Sequence, residues 1–169
     1  MNETVTSWLS ANLPHAVTIG RYVDGLESEA GDTKLIVARE NLRGCLLGLK
    51  SRFHTLMDLF AVDYLGFPLP RPQRFAVVYN LFSVADTQRV FVKCYVTEDE
   101  PIIPSVCDLF ASANWFEREA FDMVGIHFSG HPNLIRILCH QDFVGHPLRK
   151  DYPSDGYQRL KQSRPSKEL

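Results

Sequence analysis

The stretch from Glu117 to Pro153 holds many of the side chains that could do chemistry in this chain. It contains four of the six histidines, both Gly-His-Pro triplets, one cysteine, and a mixture of carboxylates and basic residues. Imidazole and thiolate groups bind metals, and carboxylates act as general acids or bases in catalysis. These residue types leave three kinds of site open: a metal centre, an acid–base centre, and a docking surface without catalysis.

A metal centre would draw on the histidines and the cysteine of this stretch. Its candidates are His127, His131, Cys139, His140 and His146. His127 and His131 are four residues apart, but Gly130 and Pro132 flank the second of them, so the pair is not expected to share one face of a helix. We favour histidines that are hydrogen-bonded within the protein. A free-standing histidine-ligated metalloenzyme is the alternative.

Acid–base catalysis would use the carboxylates of Glu117, Glu119 and Asp122. Asp122 follows Arg118 by four residues, so a helix would bring these two side chains together as an ion pair. A catalytic carboxyl group needs a raised pKa in an apolar pocket, which no sequence pattern reveals. The cluster is therefore interpreted as an ion-pair network. The chain also lacks the G-x-S-x-G, G-x-G-x-x-G and Walker A motifs.

A docking surface is the third possibility, and residues 146–153 carry it. The two prolines of this run fix backbone angles and lower the entropy lost when an extended segment is ordered. Arg149, Lys150 and Asp151 offer charge and hydrogen bonds to a partner. The alternative is an intramolecular role, in which the basic pair caps a helix end or pairs with Glu117 or Glu119.

The elements that position this stretch follow from hydrophobic periodicity and from glycine and proline punctuation. Helices are predicted over residues 4–13, 42–53, 104–111 and 114–124, and strands over 16–23, 34–38, 56–64, 75–84 and 89–97. Strands 75–84 and 89–97 are predicted to form an antiparallel hairpin. The pattern predicts an α+β body over residues 1–125, with helices packed on one face of an antiparallel or mixed sheet, followed by an extended C-terminal arm over residues 126–169.

Composition limits the classes of partner and cofactor. A net charge of −2 gives no basic field for nucleic acid. The four cysteines stand singly, without the C-x-x-C pair typical of iron–sulfur or zinc-ribbon sites. No run of about 18 apolar residues occurs, so a cytosolic protein is expected, reaching a membrane only through a complex.

Three motifs resemble the thirty-kilodalton subunit family of respiratory complex I, known in bacteria as the C subunit of NADH-quinone oxidoreductase. They are Glu117-Arg118-Glu119, then Asp122-Met123-x-Gly125-Ile126-x-Phe128-x-Gly130-His131-Pro132-x-Leu134, and finally Gly145-His146-Pro147-Leu148-Arg149-Lys150-Asp151-Tyr152-Pro153. Ser112-Ala113-Asn114-Trp115 and Asp58-x-x-Ala61-Val62-Asp63 are also similar to the family. One departure is Ile135, which stands before Arg136 where the family usually has a second basic residue.

The resemblance implies a non-catalytic subunit in the hydrophilic arm of a proton-pumping NADH:quinone oxidoreductase, on the cytoplasmic side of the membrane. Its C-terminal segment would dock on the forty-nine-kilodalton subunit, called here the D subunit, which helps form the quinone site. This chain would bind no cofactor, and other subunits would hold FMN and the iron–sulfur clusters. Related subunits occur in ferredoxin-, F420- and hydrogenase-linked membrane complexes, which are the alternative. The interface residues implied are Glu117, Arg118, Glu119, Asp122, His131, Arg136, His146, Pro147, Leu148, Arg149, Lys150, Asp151 and Tyr152.

Overall fold

The computed structural model describes residues 33–155 and residue 158. Its elements are β1 (Thr33–Ile36), α1 (Arg39–Lys50), β2 (Thr55–Asp63), β3 (Phe75–Ser83), β4 (Gln88–Val96), β5 (Ile102–Pro104), α2 (Ala113–Val124) and β6 (His127–Ser129). The helix predicted over residues 4–13 and the strand predicted over 16–23 lie outside the described residues.

Four of the strands form one mixed sheet in the order β1-β4-β3-β2. β3 pairs antiparallel with both β2 and β4, whereas β1 pairs parallel with β4. The β3–β4 hairpin is the one predicted from the sequence, and its residues are rich in Val, Phe and Tyr, which suit a half-buried pleated surface.

The core lies on one face of this sheet. Every second residue of β3 points into it, namely Phe75, Val77, Tyr79 and Leu81. Helix α1 contributes Leu42, Cys45, Leu46 and Leu49 to the same cluster, and α2 contributes Ala113, Ala120, Met123 and Val124. The predicted α+β class, with helices packed on one face of an antiparallel or mixed sheet, is confirmed.

The helix predicted over residues 104–111 is wrong. Pro104 ends strand β5, which pairs parallel with β6, and the Ser105 N–H extends this ladder to the Ser129 carbonyl at 2.9 Å. Only one turn follows, in which the Leu109 and Phe110 amides donate to the Val106 carbonyl. Tertiary pairing with β6 therefore overrides the helix-start preference of the proline.

Helix α2 agrees with its prediction apart from its first residue. It begins at Ala113, so Asn114 lies in its first turn and is not the N-cap. Gly125 ends it in the left-handed conformation with φ 83°, and its N–H donates to the Ala120 and Phe121 carbonyls. The predicted glycine stop is confirmed.

The chain after Gly125 contains β6 and no helix as far as the structure describes it. Ile126 and Phe128 belong to the core, Leu134 and Cys139 pack against it, and other later residues reach the body through polar contacts. The division into a body of residues 1–125 and an arm of residues 126–169 stays a prediction. Among the described residues, no helix is both long and apolar enough to cross a bilayer.

Candidate functional site

Glu117 is a fully buried carboxylate on α2 that fixes the turn after β5. Its Oε1 accepts the Val106 N–H at 2.7 Å, and the Cys107 thiol lies 3.4 Å from Oε2. Burial raises the pKa of Glu117, and the hydrogen bonds from Ser105, Val106 and Cys107 act in the opposite direction. The side chain joins the 105–107 turn to α2.

Among residues 33–155 and 158, one group has the composition of a metal centre: Cys107, Glu117 and His131, whose ligand atoms lie within 4.8 Å of one another. The His131 ring is already used on both sides, since Nδ1 accepts the Asn133 N–H at 2.9 Å and Nε2 lies 3.2 Å from the Asn114 carbonyl. Both oxygens of Glu117 also have contacts within the chain, Oε1 with the Val106 N–H and Oε2 with the Cys107 thiol. The donor geometry therefore favours a structural cluster over a metal centre.

A cleft of about 700 Å³ opens beside this cluster. It is lined by Arg43, Pro104, Ser105, Cys107, Asp108, Ala111, Asn114, Ser129, Gly130 and Pro132. Its two charged residues, Arg43 and Asp108, form an ion pair with each other, and Arg43 also donates to the Ser105 carbonyl at 3.1 Å. Both charges of the lining are therefore engaged within the chain.

Asp122 is the second fully buried carboxylate of α2, and it organises the segment that follows β6. Its Oδ2 accepts three successive backbone N–H groups, those of Ile137, Leu138 and Cys139, at 3.0, 2.8 and 2.8 Å. Its Oδ1 lies 2.6 Å from the Arg136 guanidinium. Burial alone would raise the pKa of Asp122, but these donors outweigh it and the pKa is lowered.

The C-terminal end of α2 is capped by side chains from residues 146–149. The Arg149 Nε donates to the Val124 carbonyl at 2.7 Å, and His146 Nδ1 lies 3.0 Å from the Asp122 carbonyl. These groups satisfy carbonyls that a helix end leaves without partners. Gly125 makes room for them, since a Cβ there would lie 2.6 Å from both His146 and Arg149.

A third buried carboxylate, Asp63 at the end of β2, binds the same segment from another side. Asp63 pairs with Arg74 at 2.9 Å and accepts the Lys150 N–H at 2.9 Å. Arg74 also pairs with Asp151 at 2.9 Å and with Glu98. Burial alone would raise the pKa of Asp63, but the Arg74 guanidinium and the backbone donors leave it lowered.

Many of the residues predicted for an interface make contacts within the chain, and some of these are also exposed. Those engaged within the chain include Arg118, which donates to the carbonyls of Ile135 and Arg136 and does not form the expected pair with Asp122. Tyr152 stacks on Phe143, with ring centroids 5.9 Å apart. The side chains of Glu119, Leu148, Lys150 and Asp151 are exposed, although Asp151 also pairs with Arg74, and the Leu148 and Lys150 N–H groups bond to the body. Pro147 is partly buried.

The intramolecular role held open for Arg149 and Lys150 is present in part, because Arg149 caps α2 and Lys150 uses its backbone N–H. The interface role of all these residues stays a prediction. From the sequence, Asp63 was recognised only as part of a family motif and Arg74 was missed, although a carboxylate in an otherwise apolar strand was a signal for a buried ion pair.

The fold and these contacts define an α+β domain whose buried carboxylates organise the segment that follows β6. The chain belongs to the family described as "Respiratory-chain NADH dehydrogenase, 30 Kd subunit", whose model matches residues 35–158.

The names of similar proteins are consistent with membership in this family. "NADH-quinone oxidoreductase subunit 5" of Thermus thermophilus is 46% identical over 129 residues, which are 73% of this chain and 62% of the relative. A relative from Geotalea uraniireducens, named as the C subunit of NADH-quinone oxidoreductase, is 46% identical over 131 residues, covering 76% of this chain and 77% of the relative. The chain thus spans less than two thirds of the Thermus relative's length.

Two solved structures share the fold. A trypsin-resistant fragment of Nqo5 is 42% identical, with a TM-score of 0.62, and the match covers 64% of this chain and 87% of the fragment. A chain from a membrane-bound sulfane sulfur reductase, an archaeal respiratory membrane complex, is 22% identical, with a TM-score of 0.70 and coverage of 93% and 95%. The second likeness concerns the fold alone.

Proposed function

We propose that this chain is a non-catalytic subunit of the hydrophilic arm of a proton-pumping NADH:quinone oxidoreductase. In this proposal it docks on the D subunit, lies on the cytoplasmic side of the membrane, and associates with the membrane only through the complex. FMN and the iron–sulfur clusters are held by other subunits. Family membership and the names of the relatives support the complex.

The observation that carries the docking role is a set of exposed apolar side chains on the segment after β6. Ile135, Leu138, Val144 and Leu148 are 42, 64, 75 and 60% exposed. Backbone atoms of the same segment are hydrogen-bonded to the body, so these side chains are held at the surface. An apolar surface on an ordered segment suits contact with another protein.

The non-catalytic role rests on how the reactive groups are used. Glu117, Asp122 and Asp63 accept hydrogen bonds from their own chain, and both nitrogens of His131 lie in backbone contacts. Burial raises the pKa of every one of the four thiols, which disfavours nucleophilic thiolates; these are Cys45, Cys94, Cys107 and Cys139. This arrangement supports a scaffold over the free-standing metalloenzyme.

An affinity-tagged chain purified in mild detergent tests the proposal. Mass spectrometry of the recovered proteins should identify the D subunit and other hydrophilic-arm subunits, and the preparation should reduce a quinone with NADH. Reduction driven by ferredoxin or coenzyme F420, with NADH inactive, would assign the chain to a related complex. A solitary chain that carries stoichiometric metal and turns over a substrate would overturn the scaffold role.

A further inference from the structure

The segment from Ile135 to Tyr152, called here the docking segment, is fastened to the body at its near end by Asp122. Three consecutive amides, Ile137 to Cys139, converge on one carboxylate oxygen, and the Arg136 guanidinium binds the other. The Arg136 guanidinium also donates to the Gly145 carbonyl at 3.0 Å. One buried carboxylate therefore orders two separate parts of the docking segment.

The far end is fastened by Asp63, on a different element. Asp63 accepts the Lys150 amide, and its partner Arg74 binds the Asp151 carboxylate. Between the two fastenings, the Leu148 N–H donates to the Met123 carbonyl at 2.9 Å. The two carboxylates belong to β2 and α2, so the docking segment is anchored to both layers of the body.

From this double anchorage we infer that Asp63 and Asp122 are positioning residues that order the docking segment before a partner subunit binds. The inference rests on the proposed function, because it concerns how that docking occurs. A segment that becomes ordered only on binding loses conformational entropy at that moment, which weakens its affinity for the partner. A segment that is already ordered does not have this cost. The partner therefore meets exposed apolar side chains on an ordered segment, namely Ile135, Leu138, Val144 and Leu148.

Hydrogen exchange on the isolated chain of 169 residues tests whether the docking segment is ordered without a partner. The amides of Ile137, Leu138, Cys139 and Lys150 should exchange at least about 100-fold more slowly than in an unstructured peptide. In Asp122→Asn the amides of Ile137, Leu138 and Cys139 should lose most of this protection. In Asp63→Asn the Lys150 amide should lose most of its protection. Glu119→Gln, on the exposed side of α2, is the matched control and should leave all four unchanged.

Docking is then measured with the co-expressed D subunit as the probe. Asp122→Asn should weaken binding by about tenfold or more, although its side chain is buried away from the partner. Leu138→Ser should weaken binding equally while leaving amide protection intact, because it changes an exposed apolar side chain and leaves the hydrogen bonds to Asp122 and Asp63 in place. Asp151→Asn weakens the ion pair with Arg74 at an exposed position, so it should loosen the far end of the docking segment without unfolding the chain.

The outcomes separate the two proposals. Fast exchange of the four amides in the isolated wild-type chain, with protection appearing only in the complex, would overturn preordering and leave docking intact. Lost protection in Asp122→Asn with unchanged binding would also overturn it. Protected amides together with wild-type binding by Leu138→Ser and by a Val144→Ser variant would instead defeat the docking role, and with it the inference.

Discussion

The carboxylate of Asp122 lies 2.6 Å from the guanidinium of Arg136, and the same carboxylate receives three backbone amides of the residues that follow that arginine. Asp122 is fully buried, and the Arg136 side chain is only 15% exposed. Charge-assisted hydrogen bonds of this kind are strong, and their loss leaves buried donors without partners.

Asp122→Ala should therefore destabilise the chain by about 3–5 kcal/mol, because it leaves a buried cation and three amides uncompensated. Urea unfolding of the isolated chain measures the change. Glu119→Ala, at an exposed position on the same helix, should stay within about 0.5 kcal/mol of the wild type. Equal stability of the two variants would contradict a structural role for Asp122.

Gly125 and Gly44 give a matched pair of glycine substitutions. Gly125→Ala should cost about 2 kcal/mol or more, because φ is +83° and the new Cβ would meet His146 and Arg149 at 2.6 Å. Gly44→Ala should stabilise by about 0.5–1 kcal/mol, since Gly44 lies inside α1 with nothing within 4 Å of a new Cβ. Thermal unfolding measures both changes, and the midpoint should fall in Gly125→Ala and rise in Gly44→Ala.

The lowered pKa of His146 leads us to expect a loss of stability in mild acid. Burial lowers the pKa of His146, and the nearby Arg149 and Arg136 guanidinium groups lower it further, against the hydrogen bond to Asp122. Above the ordinary histidine pKa of about 6.5 the ring is neutral in both folded and unfolded chains. Below that pH the unfolded chain takes up a proton first, so the free energy of unfolding should fall as the pH decreases.

Urea unfolding at several pH values between about 7.5 and 5.5 measures this slope, in a range above the titration of Asp63 and Asp122. His146→Asn should flatten the slope, and His127→Gln, on the exposed side of β6, should retain it because His146 is still present. A slope that is unchanged in His146→Asn would assign the acid sensitivity to other groups.

Cys107 should behave as a structural thiol. Its pKa of about 11 predicts slow alkylation by iodoacetamide at a pH of about 7.5 compared with an unperturbed thiol. Cobalt(II) should give no thiolate charge-transfer band, and excess zinc should leave the thermal midpoint unchanged, because ligand binding to the folded state would raise it. A cobalt–thiolate band that vanishes in Cys107→Ser and persists in Cys139→Ser would establish a metal centre at Cys107, Glu117 and His131.

Arg149 and Lys150 are adjacent but should respond differently. Arg149→Ala removes the Val124 cap and the contact over the Phe75 ring, so a destabilisation of about 1–3 kcal/mol is expected. Lys150→Ala keeps the backbone N–H bond to Asp63, so stability should hold within about 0.5 kcal/mol. Weaker recovery of the D subunit with Lys150→Ala would place its ammonium group in the interface, and unchanged recovery would make it a solvated charge.

The sequence by itself determined strands β1 to β4, the helix stop at Gly125 and the family motifs, whereas β5 and β6 were not predicted. Hydrophobic alternation and glycine conformation are local properties, so β3, β4 and the end of α2 follow from neighbouring residues. The same motifs contain Asp122, His146 and Arg149, which the structure places in hydrogen bonds around the end of α2.

Only the tertiary structure decided what these residues bind. Asp122 pairs with Arg136, fourteen positions away, and not with Arg118 on its own helix, while Asp63 reaches Lys150 across 87 positions. Pro104 ends a strand because the Ser105 N–H that follows it donates to the Ser129 carbonyl, a distant contact that no local sequence pattern encodes. A buried carboxylate costs free energy unless its oxygens accept hydrogen bonds. The donors that supply these bonds come from distant parts of the chain, so only the folded structure brings them together.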